Sequence, residues 1–543
     1  MKLISLLLAI AFFPFPGSRA WADTVFLGGA VITADDAFRV EEAIAIRGNR
    51  VMRVGSDREI GRLVGPHTRV IDLKGRALLP GFEDSHIHFL SLAALENQID
   101  LSQIKSIEEM TALVRERDKD IPDGSWILGR GWDQERMEWS REYEWPTKED
   151  LDFTTKPVLL LRVCGHIAVA NSKALEIAGI DRMTWVDGGV IDRYPDGEPT
   201  GVLREKAIDV VMSKIPIEAL KPSASDLDAM IKRAVANGIT CIEEAGAGLE
   251  DMDIYNSALE RGTLDLRVNL LLDSSLIDFC AENGISSPYD IKRERLRICG
   301  IKFYADGSLG GRTAALREPY SDDPQNTGVL YMDKDQLTDL FEKAHDAGLQ
   351  CCTHAIGDEA IETVLEGNKA SYADDASAER MRDRIEHCQI MSEDILQEMK
   401  DQEMIASIQF SFAASDSPWA KERVGERMRT SYAWRSLMDA GIRCSGGTDA
   451  PVETFVPLEG VEKIITRSDD REQALTLEQA MRLYTSESAY AQWQDSYLGS
   501  LEEGKLADLT VLSEDILTVE PSRISELKVD LTMIDGIIVY ERG

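Results

Sequence analysis

Hydrophobic and polar positions alternate in short runs over residues 24–78. Val25-Phe26-Leu27, Ala30-Val31-Ile32, Ala43-Ile44-Ala45-Ile46, Val51-Met52-Arg53-Val54 and Val70-Ile71-Asp72-Leu73 read as strands, with Gly28-Gly29, Gly48-Asn49 and Gly55 as turns. The same pattern returns at Asp508–Leu512 and Met533–Tyr540, so residues 23–78 and 496–543 are expected to pair into one composite β-sandwich. Between these ends, apolar runs alternate with amphipathic stretches such as Lys334–Ala347, which Gly348 would cap. Eight runs read as strands: Ala77–Phe82, Ile239–Glu243, Arg267–Leu272, Gly300–Tyr304, Gln350–Thr353, Arg384–Glu386, Ile405–Gln409 and Arg443–Ser445. Eight strands with intervening helices predict an α/β fold, a (β/α)8 TIM-like barrel over residues 79–495.

The strands are unevenly spaced. About 150 residues separate the first from the second, far more than one crossover needs. A large insertion after barrel strand 1, about 90–235, is therefore expected, either as a lid over the barrel mouth or as a packed appendage. It carries Trp126, Trp132, Trp139 and Trp145, close together in a chain with nine Trp.

Residues 1–22 have another pattern. Lys2 precedes an apolar run from Leu3 to Phe15, and Ala20-Trp21-Ala22 matches a small-x-small cleavage site. This is the form of a secretory signal peptide, too short for a comfortable span, with an uncleaved anchor as the alternative. Export is expected, to the periplasm in a Gram-negative cell and otherwise by secretion, with no membrane association after cleavage. Export would permit disulfides. The eight Cys are scattered, however, and six of them sit in or beside apolar strand runs, so they are read as core thiols.

Composition narrows the partners. With 96 Asp and Glu against 60 Lys and Arg, the formal net charge is −36 at pH 7, which argues against nucleic acid or an anionic membrane surface. A small-molecule substrate fits better. Whether the chain forms a homo-oligomer leaves no mark in the sequence.

Only seven His are present, so their positions are informative. His86 and His88 follow the first strand, two residues apart, and in extended backbone such residues face the same way. His354 closes Cys351-Cys352-Thr353, His387 closes Arg384-Ile385-Glu386, and Asp449 follows Ser445-Gly446-Gly447-Thr448. Each lies at or near the C-terminal end of a predicted strand, where barrel enzymes assemble their reactive groups. Imidazoles and a carboxylate together suit zinc or another first-row divalent ion. Lys302 lies inside an apolar strand, where burial favours the neutral amine. Such an amine can add carbon dioxide to give a carbamate that bridges two metals; an unmodified ammonium there would favour one.

The chain resembles the amidohydrolase superfamily, and within it the amidohydrolase family 3 branch that includes N-substituted formamide deformylases. The resemblance is carried by Leu79-Pro80-Gly81-Phe82 with His86 and His88, Gly131-Trp132, Gly165-His166, Lys302 with Asp306-Gly307-Ser308, Thr353-His354-Ala355-Ile356-Gly357-Asp358, Ile385-Glu386-His387, Thr448-Asp449-Ala450-Pro451 and Gly504-Lys505-Leu506-Ala507-Asp508-Leu509. It implies His86, His88 and Asp449 on one metal, His354 and His387 on the other, and N6-carboxylated Lys302 between them. Two divalent ions are expected, zinc first among candidates. The implied activity is hydrolysis of amide-type C–N bonds, of an N-substituted formamide or N-acyl amine. A metal-bridging hydroxide would attack the carbonyl, and Asp449 would carry the proton to the leaving amine. Trp132, His166, Asp306 and Arg312 are candidate substrate contacts. Lactone or phosphoester hydrolysis uses the same two-metal logic. A one-metal deaminase would be expected to carry a Glu where this chain has Gly357.

Overall fold

Eight parallel strands form a nearly closed barrel in this computed structural model. The described residues are 21–543 except 96–97, 140–144, 217–218, 220, 293 and 373–380. The expected export segment thus lies outside them but for its last two residues. The barrel strands are β1 (Phe82–Ile87), β2 (Ile239–Ala247), β3 (Arg267–Asp273), β4 (Leu296–Tyr304), β5 (Cys351–Ala355), β6 (Arg384–His387), β7 (Ile405–Gln409) and β8 (Cys444–Gly447). Neighbours pair in parallel from β1 through β8.

Side-chain and main-chain bonds join β8 back to β1. Ser85 donates to the Gly446 carbonyl at 3.0 Å, the Thr448 amide donates to Asp84 at 2.9 Å, and the Asp449 amide donates to the His86 carbonyl at 2.7 Å. The approach is close enough to require Gly447, where a Cβ would lie 2.7 Å from the His86 Cβ.

The first strand differs from the expectation. The apolar run Ala77–Phe82 is divided at Gly81 between two sheets. Ala77–Pro80 pairs with Ala30–Ile32 and Leu509–Leu512 in the sandwich, and the barrel strand begins at Phe82. A Cβ at Gly81 would come within 2.2 Å of the Thr240 side chain, so only glycine fits at this junction. A continuous apolar run carries no sign of a change of sheet. Several other strands reach further toward their C-terminal ends than their apolar runs do, so His86, His354 and His387 lie within strands and not after them.

Both chain ends supply the sandwich. Thr24–Leu27, Ala43–Arg47, Arg50–Gly55 and Arg69–Asp72 form one sheet; Ala30–Ile32, Val40–Glu41, Ala77–Pro80, Leu509–Leu512, Val529–Ile534 and Ile537–Glu541 form the other. Phe26, Ile44, Leu78, Leu509 and Met533 are buried between them.

After β1 the chain builds a six-stranded sheet between Ile99 and Glu205, with its own core around Trp132, Ile127, Leu160 and Val169. This unit is narrower than the spacing-based span of 90–235. The helix Ala224–Ala236 packs Leu227, Ile231 and Val235 into the barrel core as the ordinary crossover into β2. All eight cysteines are free thiols, and seven are buried. Among the described residues no helix is long and apolar enough to cross a membrane.

Arg267 fastens sandwich to barrel. From the start of β3 its guanidinium forks onto Asp508 at 2.7 and 3.0 Å and reaches Asp535 at 2.5 Å, all but sealed from solvent. Arg267→Met should strand the buried Asp508 carboxylate and cost about 3–5 kcal/mol. Urea unfolding followed by circular dichroism should show the midpoint fall accordingly.

Candidate metal centre

The six residues singled out by the strand-end pattern converge on one cavity of about 1180 Å³ at the C-terminal mouth of the barrel. His88 Nε2 lies 3.3 Å and His86 Nε2 3.6 Å from Asp449 Oδ1, and Lys302 Nζ lies 3.5 Å from His86 Nε2. The His387 ring centroid is 5.0 Å from that of His86 and 4.5 Å from that of His354, which completes the chain of contacts. His86, His88 and Asp449 can offer donor atoms all within 4.8 Å of one another. His387 (φ 81°) and Asp449 (φ 55°) adopt left-handed backbone, a strained choice for non-glycine residues that concentrates at functional sites.

The residues behind this cluster fix which ring nitrogens face it. His86 Nδ1 donates to Glu386 Oε2, His387 Nδ1 donates to Gln409 Oε1 at 2.7 Å, and His354 Nε2 donates to the Gly307 carbonyl at 3.1 Å. Each acceptor consumes one N–H, so the other nitrogen of each ring carries a lone pair for a cation. This is the usual support of metal-binding imidazoles. The donor set therefore fits a divalent metal ion, with His86, His88 and Asp449 able to hold it and the free ring nitrogens of His354 and His387 beside them.

Burial sets the protonation states. It pushes His86, His354 and His387 toward neutrality, His387 down to about 3, with the neighbouring cations adding to the effect. Burial likewise lowers the Lys302 ammonium against the opposing pull of Glu386 and Asp449. For Asp449 burial works the other way, but the hydrogen bond with His88 and the imidazoles of His86 and His387 around it outweigh it and hold the carboxyl below its usual range. Glu386 is fully buried and still ionised, because Arg384 and His86 offset the cost.

Arg384 and Glu386 went unnoticed in the sequence. They stand two apart on β6 and point into the barrel. The Arg384 guanidinium donates to Glu386 at 2.7 Å and to Glu243 on β2, and all three are sealed from solvent. The same i, i+2 rule that linked His86 to His88 would have paired them. Asp84 was missed too. It accepts from the Thr448 hydroxyl at 2.6 Å and amide at 2.9 Å, and so ties the Asp449 turn to β1.

The four candidate substrate contacts separate. His166 lines the cavity, its ring 5.1 Å from His354, and pairs with Glu205 at 2.8 Å. Burial alone would favour its neutral form, but Glu205 raises it to about 9. Trp132 does not reach the cavity; it is buried in the core of the inserted sheet, and its indole donates to the Leu160 carbonyl at 2.9 Å. Asp306 is fully buried and accepts from the amides of Ala315, Ile356 and Gly357, so it shapes the loops beside His354 instead of meeting a ligand. Arg312 does not line the cavity; it pairs with Asp322, 3.0 Å distant.

The sequence profile of the Amidohydrolase family matches residues 69–540. The chain belongs to the amidohydrolase family. It is 34% identical to the YtcJ protein of Bacillus subtilis (strain 168) over 96% of this chain and 99% of that one. It is 26% identical to the N-substituted formamide deformylase of Arthrobacter pascens over 96% of this chain and 98% of that enzyme. Among solved structures it resembles an uncharacterized metal-dependent hydrolase from Pyrococcus furiosus, with 29% identity, 92% of this chain and 99% of that chain covered, and a TM-score of 0.72. This amidohydrolase is thus a metal-dependent hydrolase on a TIM-like barrel.

Glu386→Gln keeps the shape of the side chain but removes the charge that orients His86. Metal affinity should fall about 10–100-fold, as it does when other such supporting carboxylates are lost. Competition titration against a chromophoric chelator measures it.

Proposed function

We propose that this amidohydrolase cleaves amide-type carbon–nitrogen bonds, taking an N-substituted formamide or an N-acyl amine as substrate. The observation that carries this reading is the position of Asp449, within 3.6 Å of two imidazoles and open to the cavity in which a carbonyl substrate would lie. Likeness along nearly the whole chain to a formamide deformylase supports the same bond class.

Divalent cations at these donors, zinc being the first candidate, supply the Lewis acidity that ionises water and polarises a carbonyl near neutral pH. The protein's own groups do the rest. Lys302, held toward its neutral form, can add carbon dioxide with loss of a proton, and the carbamate presents two oxygens where a single ammonium would repel cations. Asp449 stays ionised and can accept the proton of the attacking water at a carboxylate oxygen. It then returns that proton to the departing nitrogen, without which an amine is a poor leaving group. His166, cationic beside Glu205, faces the same cavity and can donate to a substrate oxygen.

One alternative fares poorly. A one-metal deaminase would need a carboxylate at position 357, but a Cβ on Gly357 would lie 1.8 Å from the Ala315 carbonyl.

At full metal occupancy, Asp449→Asn should lower turnover of an N-substituted formamide at least about 100-fold, the usual contribution of a positioned acid–base group. A panel of formamides, N-acyl amines, lactones and nucleobases provides the comparison. Unchanged turnover in the variant would refute the role of Asp449, and hydrolysis of lactones alone would refute the bond class.

A further inference from the structure

The inserted sheet sends one strand end into the cavity. Arg130, on the strand Ile127–Trp132, lines the same space as the six candidate ligands. Its guanidinium has a single protein acceptor, the Val163 carbonyl at 3.1 Å, and its Nε is buried with no partner. No carboxylate lies within ion-pairing distance of it among the described residues. Its neighbours differ. Arg162 donates to Asp133 at 2.7 Å and to Gln134 at 2.6 Å, and Arg136 also lies against Asp133.

An unpaired guanidinium in a half-closed cavity is costly, since burial works against its charge and the more distant Asp449 carboxylate is the main charge that opposes this. The fork is also given room. Gly165 adopts φ +79°, and a Cβ on it would lie 3.2 Å from Arg130 Nη2.

We infer that Arg130 forms an anion subsite that recognises a carboxylate on the substrate, so that the amides cleaved here are N-acyl derivatives of amino acids in preference to neutral amides. This rests on the amide-hydrolysis reading given above. A planar guanidinium matches a carboxylate with two parallel hydrogen bonds, and one positive charge balances one negative charge. A phosphate dianion would leave an excess charge facing Asp449. The subsite gives the inserted sheet a role, as the wall that sets which amide is bound.

The test compares N-formylphenylalanine with N-(2-phenylethyl)formamide, the same skeleton without the carboxylate, on the metal-loaded enzyme. Wild type should favour the acid. In Arg130→Gln the ratio of the two kcat/KM values should fall about 100-fold, mainly through KM, as expected when a partly buried carboxylate loses its guanidinium. Arg130→Lys should recover part of the ratio. Because the readout is a ratio, a loss common to both substrates cancels. Equal loss on the two substrates, or a wild-type preference for the neutral formamide, would overturn the subsite and leave the amide-hydrolysis reading standing. If neither formamide is hydrolysed, calorimetric titration with 3-phenylpropionate still decides. Binding to wild type about 100-fold tighter than to Arg130→Gln supports the subsite without the reaction, and equal or absent binding overturns it.

Discussion

A guanidinium sealed inside the barrel holds the charged groups behind the metal centre in place. Arg384 reaches no solvent and bonds two carboxylates, Glu386 beside it and Glu243 across the barrel. Without it, Glu386 would lose the strongest of the influences that oppose its burial, and His86 would face a less strongly charged acceptor. With it, Glu386 stays charged, His86 donates from Nδ1 and Nε2 points toward Asp449 and Lys302. Burial penalises each charge singly, so the arrangement is viable only as a connected set.

Around that set the fold divides its labour. The barrel supplies donors from the ends of β1, β4, β5, β6 and β8, on strands held rigid by parallel pairing. The sandwich is fastened beneath through Arg267 and two aspartates, away from the chemistry. The inserted sheet closes one side of the cavity with Arg130, Arg162, Cys164 and His166. On the proposals above, reaction type belongs to the barrel and substrate choice in part to the insertion, a division that suits a scaffold with many chemistries.

Much of this was legible in the sequence, for identifiable reasons. Eight apolar runs separated by helical patterns gave the barrel, and polar groups at their ends gave the six converging side chains. The change of sheet at Gly81 was hidden because the apolar pattern continues through it. Arg384 and Glu386 were hidden because charges within short strands suggest an outer face, whereas the interior of this barrel pairs them. Trp132, Asp306 and Arg312 do not line the cavity: residue type alone cannot distinguish an indole in a core from one in a wall, a carboxylate bound to loop amides from one facing a ligand, or an arginine facing a cavity from one bound to Asp322. The value of Arg130 lies in the carboxylate partner that it lacks and its neighbours have, and that is visible only in three dimensions.

The central claim is that six side chains distant in sequence act together to hold a pair of divalent cations. Inductively coupled plasma mass spectrometry on the purified chain, reconstituted with zinc and bicarbonate and then desalted, tests it most directly. Two equivalents of zinc per chain, reduced to one or fewer in Lys302→Ala, is the result predicted here; one equivalent or none in the unaltered protein would contradict it.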